Sequence, residues 1–162
     1  RNFHLDSKFK TIFTAEAGPD MQFHYQKFDE IVEVTKMMGK DQLKGEFRKG
    51  NRKPVPEHVA EYSFYNAKKA NCLFIAPEIH DSVVEDCFDY SCNKAPFIVK
   101  KQPIEFHIVP LTLEQFLKIF LVCIENKSTS KKWMQVLTDL HKTNEKDEQS
   151  WMASIAKYVE HL

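Results

Sequence analysis

Asn71-Cys72-Leu73-Phe74-Ile75-Ala76 is an unbroken apolar run after its first residue, and Pro77 ends it. Alternate side chains of a strand point to opposite faces, so such a run is a strand buried on both. Glu105–Val109 reads as a second buried strand. Helical spacing surrounds them: Glu57–Ala67 with Val59, Tyr62 and Phe64 inward, Glu78–Phe88, and Thr112–Ile124. In the last of these, Leu113, Phe116, Leu117, Phe120 and Leu121 are expected in the core, and Thr112 with Gln115 is spaced as a capping box. Asp89–Gln102 is expected as loop or short strand. The class is therefore α/β, a central sheet flanked by helices. Two amphipathic helices close the chain. One is Lys131–His141, capped by Ser130, with Trp133, Val136, Leu137 and Leu140 on one face. The other is Asp147–Leu162, with Trp151, Ile155, Tyr158, Val159 and Leu162. They either finish the core or bind a partner subunit or a further domain. The expected division is a core over 1–126 and a helical extension over 127–162.

The first third carries the chemistry. Asp20–Tyr25 and Glu30–Thr35 read as two strands joined by a turn at Lys27–Asp29. As an antiparallel hairpin they place Asp20 opposite Glu33 at one end of the sheet. Two carboxylates that close repel each other unless a cation lies between them, and oxygen-only ligation by one or two carboxylates suits Mg²⁺. Ordinary strand-end acids are the alternative. Glu33 and Thr35 share a face; Val34 and Lys36 take the other. After Gly39, Asp41–Arg48 reads as a helix with Asp41 as its N-cap. Leu43 and Phe47 mark one face and Gln42 and Glu46 a neighbouring one, turned either to the carboxylates or to solvent. Lys49–Pro56 reads as a loop. Arg1–Ala15 is expected as a strand or hairpin turning near Asp6-Ser7.

With 162 residues, 43% hydrophobic and 13 of them Phe, the chain is long enough for one well-filled domain. Its formal charge is zero, which points to no nucleic acid by itself. The local charge is different. Lys36, Lys40, Lys44, Arg48, Lys49, Arg52 and Lys53 face only Asp41 and Glu46 over the same stretch. A basic segment beside a cation site suits a phosphodiester, although charge runs also serve as solvated surface. Cys72 and Cys123 sit in apolar runs as buried thiols do; Cys87 and Cys92, with His80, fit no common zinc spacing. No apolar run is long enough to span a bilayer, so no membrane partner is expected, and reduced cysteines suit a cytoplasmic location. A chain that starts at Arg1 is expected to be a piece of a longer protein or a processed one.

Several blocks together resemble a known family. Pro19-Asp20 followed by Glu33-Val34-Thr35 resembles the PD-(D/E)xK nuclease motif, with Thr35 in the slot of the usual lysine. Gln42 with Glu46, Glu57-His58-Val59-Ala60-Glu61-Tyr62, Leu73-Phe74-Ile75-Ala76-Pro77 and Ile108 to Phe116 follow in order. Over roughly Ala15–Phe120 they resemble the AlwI-like type IIS restriction endonucleases. The resemblance implies a restriction-endonuclease-like fold with a mixed sheet. It implies a metal site of Asp20, Glu33 and the Val34 carbonyl holding Mg²⁺, with Mn²⁺ as substitute, and catalytic roles for Asp20, Glu33, Thr35, Gln42 and Glu46. His58 matches the family's helix histidine, as a structural group, a partner of a metal-holding residue or a phosphate contact. Lys36, Lys40, Lys44, Arg48, Arg52, Lys53 and His58 are the candidate DNA contacts. The implied reaction is hydrolysis of double-stranded DNA to 5′-phosphate ends. Sequence recognition would come from another domain or subunit, and catalytic domains could dimerise to cut both strands. An acidic helix that precedes the sheet in this family is missing; either Glu16 replaces it or it lies upstream. The competing reading is a nuclease-fold module that no longer cuts, and a repair or mobile-element nuclease is a weaker one.

Overall fold

The computed structural model describes residues 11–12, 20–125, 129–142 and 145–162, with the side chains of 11–12 and 129–130 excluded. Most of the expected Arg1–Ala15 element, and Glu16 and Pro19, lie outside the described residues.

A five-stranded mixed sheet has the order β1-β2-β3-β4-β7. Its strands are β1 (Thr11–Ile12), β2 (Met21–His24), β3 (Asp29–Val34), β4 (Ala70–Ala76) and β7 (Ile108–Thr112). The β1, β2 and β3 neighbours are antiparallel, while β3, β4 and β7 run parallel. Every residue of β4 is buried, as its apolar run demands, so both faces of the sheet are covered. The helices that cover it begin with α1 (Gly39–Gln42), which continues as a π-helical turn over Leu43–Phe47, and α2 (Pro54–Asn66). They continue with α3 (Asp81–Ser91), α4 (Leu113–Glu125), α5 (Thr129–Leu140) and α6 (Glu148–Glu160). A separate hairpin of β5 (Phe97–Val99) and β6 (Gln102–Ile104) packs on α2. Phe47 meets Phe74 of β4 edge-on at 5.1 Å, which anchors the π turn to the sheet.

The C-terminal helices enter the same core. Trp133, Val136, Leu137 and Leu140 are buried, as are Trp151, Ile155 and Val159. Trp133 lies 5.8 Å from the Phe23 ring of β2. Buried His141, just past α5, places Nε2 2.9 Å and 3.0 Å from the two oxygens of Glu30 in β3. Burial raises the Glu30 pKa, and the charge and hydrogen bond of His141 oppose that.

Several boundaries differ from the sequence reading. The first helix starts at Gly39, whose φ of 56° suits only glycine well, so Asp41 sits in the first turn and not at the cap. The expected loop Lys49–Pro56 ends at Lys53, because Pro54 takes the first helical position, where a missing N–H costs nothing. The helix expected at Glu78 begins at Asp81, since the His80 ring accepts from Ser82 N at 3.2 Å and caps it there. The strand expected over Glu105–Val109 runs three residues later and includes Pro110, which an edge strand tolerates. The last helices also shift: α5 begins at Thr129, so Ser130 lies inside it, and Asp147 caps α6 by accepting from Ser150 N at 2.8 Å. The Thr112–Gln115 capping box forms in both directions, at 3.2 Å and 2.9 Å. The largest departure is on α4. Leu113, Leu117 and Leu121, expected in the core, are 44%, 48% and 57% exposed. Ile119 and Cys123 are the buried pair instead.

Candidate active site

The register of the β2–β3 hairpin pairs Met21 with Val32, so Asp20 stands against Glu33 one step further on. Opposed residues of an antiparallel pair share a face. Glu33 ends up buried near the C-terminal end of β3, and Asp20 is exposed at the start of β2. One Asp20 oxygen, Oδ2, accepts from Val34 N at 2.6 Å, which fixes the carboxylate against the strand end.

His58 comes to Glu33 from α2, with Nδ1 2.9 Å from Oε1. Burial raises the Glu33 pKa; the His58 hydrogen bond and charge lower it, and the charges of Asp20 and Glu46 raise it again. The hydrogen bond to Glu33 raises the His58 pKa, with burial working against it. The charges of Asp20 and Glu46 thus come close enough to disfavour that of Glu33, the electrostatic condition a cation relieves. Among the described residues, no three or more His, Cys, Asp or Glu side chains are placed to hold a metal ion together. An open set of carboxylate oxygens fits Mg²⁺, which keeps several waters and takes only one or two protein carboxylates.

The other candidates separate. Thr35 is buried, and its hydroxyl oxygen accepts from Met37 N at 3.2 Å, shaping the turn out of β3. Gln42 is fully buried and stitches three segments together. Its Nε2 donates to Met37 O at 3.2 Å and to Glu78 O at 3.0 Å, and its Oε1 accepts from His80 N at 3.1 Å. The π-helical turn separates Gln42 from Glu46: the former turns into the protein, while the latter reaches Glu33 electrostatically. Val34 is 47% exposed, on the opposite side of the strand from Glu33.

Of the basic candidates, Arg48 grips Asp86 with two bonds of 3.0 Å and 2.7 Å, Arg52 pairs with Glu57 at 2.8 Å, and Lys53 donates to Tyr90 at 3.1 Å. Lys36, Lys40 and Lys44 are exposed, and among the described residues their amines make no ion pair. The sequence allows His58 a place beside a metal-holding residue but does not name Glu33 as its partner. The 25-residue separation carries no periodic signal, and only a helix matched to the strand end makes the bond.

No helix among the described residues is long and apolar enough to cross a membrane. None of the curated proteins matches the chain in sequence. The fold is similar to that of the small subunit (R.BspD6I2) of the heterodimeric restriction endonuclease R.BspD6I. The TM-score is 0.62 at 22% identity, covering 87% of this chain and 68% of that one. Residues 1–119, from the N-terminus through β7 into α4, match the AlwI restriction endonuclease family. By that match, which spans the Asp20–Glu33 hairpin, Glu46 and His58, the chain belongs to the AlwI restriction endonuclease family.

Proposed function

We propose that this chain is the catalytic domain of a Mg²⁺-dependent DNA endonuclease of type IIS restriction kind. Another domain or subunit would supply sequence recognition. The observation that carries this reading is the convergence on Glu33: Asp20 and Glu46 oppose its ionisation and His58 supports it. A site built so is poised for a cation, and two of its acids are in the register that the hairpin sets.

Asp20, Glu33 and the Val34 carbonyl would hold the ion, with Mn²⁺ able to replace Mg²⁺. When bound, the ion would neutralise the scissile phosphate, acidify the attacking water and stabilise the departing oxygen. The chain's own groups supply positioning and charge. Val34 N–H holds Asp20 Oδ2 and so sets the direction of the whole carboxylate. His58 holds Glu33 Oε1 and favours the ionised form that a cation needs. Glu46, close enough for its charge to act on Glu33, would serve as a base or an orienting group for water. Lys40 or Lys44 would supply the positive charge that Thr35 lacks. Water attacks phosphorus, the bond to the 3′ oxygen breaks, and that oxygen takes up a proton, leaving 5′-phosphate and 3′-hydroxyl ends.

One observation favours the second reading, a nuclease fold that binds without cutting. The lysine slot holds Thr35, and its hydroxyl oxygen is already engaged by Met37 N–H. Product chemistry separates the two. Nicked DNA from the active domain is resealed by DNA ligase without prior kinase treatment; nicks that need a kinase, or no nicks at all, contradict the proposal.

A further inference from the structure

Four connections meet at the end of the sheet away from Glu33. Asp29 pairs with Ala70 there, and Glu33 pairs with Phe74 about 13 Å further along the strands. Residues 67–69 join α2 to β4 at that end. Residues 92–96 leave α3 there, because Ser91 Oγ bonds both Ile108 N and Ile108 O at 2.9 Å, where β7 begins. Residues 105–107 run straight into β7. The turn of the β5–β6 hairpin, residues 100–101, joins them. Lys100 Nζ lies 4.9 Å from the centre of the Tyr65 ring and 5.8 Å from that of Phe64, in the last turn of α2.

These connections hold five lysines and one acid, Glu105, so the end is strongly basic although the whole chain is neutral. Lys68 is engaged within the fold: its amine donates to Asp29 and to the Tyr25 carbonyl. Lys69, Lys94, Lys100 and Lys101 are exposed, and among the described residues none of them makes an ion pair. Burial first, then the charges of His141, Lys69 and Lys94, push the His107 pKa down to about 4, which sets both lysines in electrostatic reach of one ring.

Three of these lysines also sit in backbone that suits lysine poorly. The φ angles of Lys94, Lys100 and Lys101 are 53°, 47° and 70°. Lys100 and Lys101 fill a two-residue turn between the paired Val99 and Gln102, a place where two positive φ angles favour Asn-Gly. Two adjacent lysines there add backbone strain and mutual repulsion, which a polyanion outside the chain offsets. The contact over Tyr65 and Phe64 steadies the Lys100 amine and leaves its N–H groups for an acceptor.

We propose that this end of the sheet binds the phosphate backbone of duplex DNA outside the cleavage centre, with Lys100 and Lys101 at its tip and Lys69 and Lys94 beside them. The inference rests on the reading of DNA as the substrate, but not on whether the chain cuts it. Ammonium groups on phosphate fix position and carry no sequence information. The 13 Å to Glu33 is about four base pairs of rise, so the duplex being cut can extend to them.

Fluorescence anisotropy of a labelled duplex, in EDTA so that cleavage is stopped, tests it through salt dependence. Each phosphate contact adds about 0.9 to the slope of log affinity against log salt. Lys100→Ala with Lys101→Ala lowers that slope by about two units, and so does Lys69→Ala with Lys94→Ala. Lys100→Arg with Lys101→Arg keeps it. Lys101→Gly, which suits its φ better, lowers the slope by about one unit without lowering Tm. Lys131→Ala, at an exposed position on α5, leaves the slope unchanged. The proposal is overturned by slopes that stay put in the two alanine pairs, or by an equal loss per lysine in Lys131→Ala. A wild-type chain that binds no duplex at about 50 mM salt overturns it too. A chain that never cuts but shows these slopes keeps this inference and loses the nuclease reading; a chain that cuts, with slopes indifferent to the variants, does the reverse.

Discussion

His58 Nδ1 and Glu33 Oε1 lie 2.9 Å apart, joining α2 to the end of β3 beside the acid that would hold the ion. Partners that orient a ligand in this way are typically worth ten- to a hundredfold in metal affinity or activity. His58→Ala should therefore weaken Mn²⁺ binding and slow cleavage by about that factor. His58→Asn, whose amide nitrogen falls near the Nδ1 position, should recover part of both. Calorimetric titration with Mn²⁺ checks the first effect, and plasmid nicking checks the second. Equal losses in the two variants would mean that the ring, not the hydrogen bond, is what matters.

Glu33 is held against its own ionisation by burial and by Asp20 and Glu46, so in metal-free buffer it should cost stability. A raised folded pKa means that the group stabilises below the ordinary carboxyl value and loses that contribution as pH rises through the folded value. The raised pKa of His58 acts in the same direction. Glu33→Gln, which still offers His58 an acceptor, should raise Tm by about 2–4 °C near pH 8, the shift of roughly 1 kcal/mol in a chain of this size. The gain should shrink towards pH 5. A thermal melt series across that range measures it, and a Tm difference that is negative or flat with pH contradicts the account.

Gln42 makes three hydrogen bonds in a fully buried position, and all three brace the segments around the site. Gln42→Ala leaves two carbonyls and an N–H without a partner, at a cost of about 3 kcal/mol. Gln42→Glu also loses the donor to both carbonyls and should be similarly destabilised. Denaturant unfolding should show both losses. The rate per folded molecule should change much less than it does for Asp20 or Glu33 variants.

Lys40 is exposed on α1 and Lys44 on the π-helical turn that continues it. If one of them replaces the charge that Thr35 lacks, Lys40→Ala or Lys44→Ala lowers the cleavage rate at least tenfold, on the order of 1.4 kcal/mol of barrier, with no change in Tm. Wild-type rates for both variants would remove them from the mechanism.

The sheet was legible in the sequence where burial imposed its pattern. The apolar run ending at Ala76 is β4, and the Asp20–Glu33 hairpin is β2 and β3 with the expected opposition. Helix starts were less legible, because local geometry decided them: the His80 ring, Pro54 and Gly39 each set a boundary that periodicity could not place. The α4 leucines misled because helical spacing reports a face and not what covers it. Leu113, Leu117 and Leu121 share one exposed stripe, while Ile119 and Cys123 are the residues that α4 buries. In the site, Asp20 and Glu33 could be read from strand alternation. The division of Gln42 from Glu46 could not, since it depends on a π-helical turn that sequence spacing does not announce. The partners of Arg48 and Arg52 likewise come from the tertiary fold.

The most direct test of the central claim is nicking of supercoiled plasmid by the purified chain in Mg²⁺ and in Mn²⁺, with the chain fused to an unrelated DNA-binding domain so that targeting does not limit the rate. The account predicts open-circular product that disappears with EDTA and falls about a thousandfold or more in Asp20→Asn and Glu33→Gln, the loss of several kcal/mol of transition-state stabilisation. Cleavage that survives both substitutions, or no metal-dependent cleavage by the fusion in either ion, would contradict it.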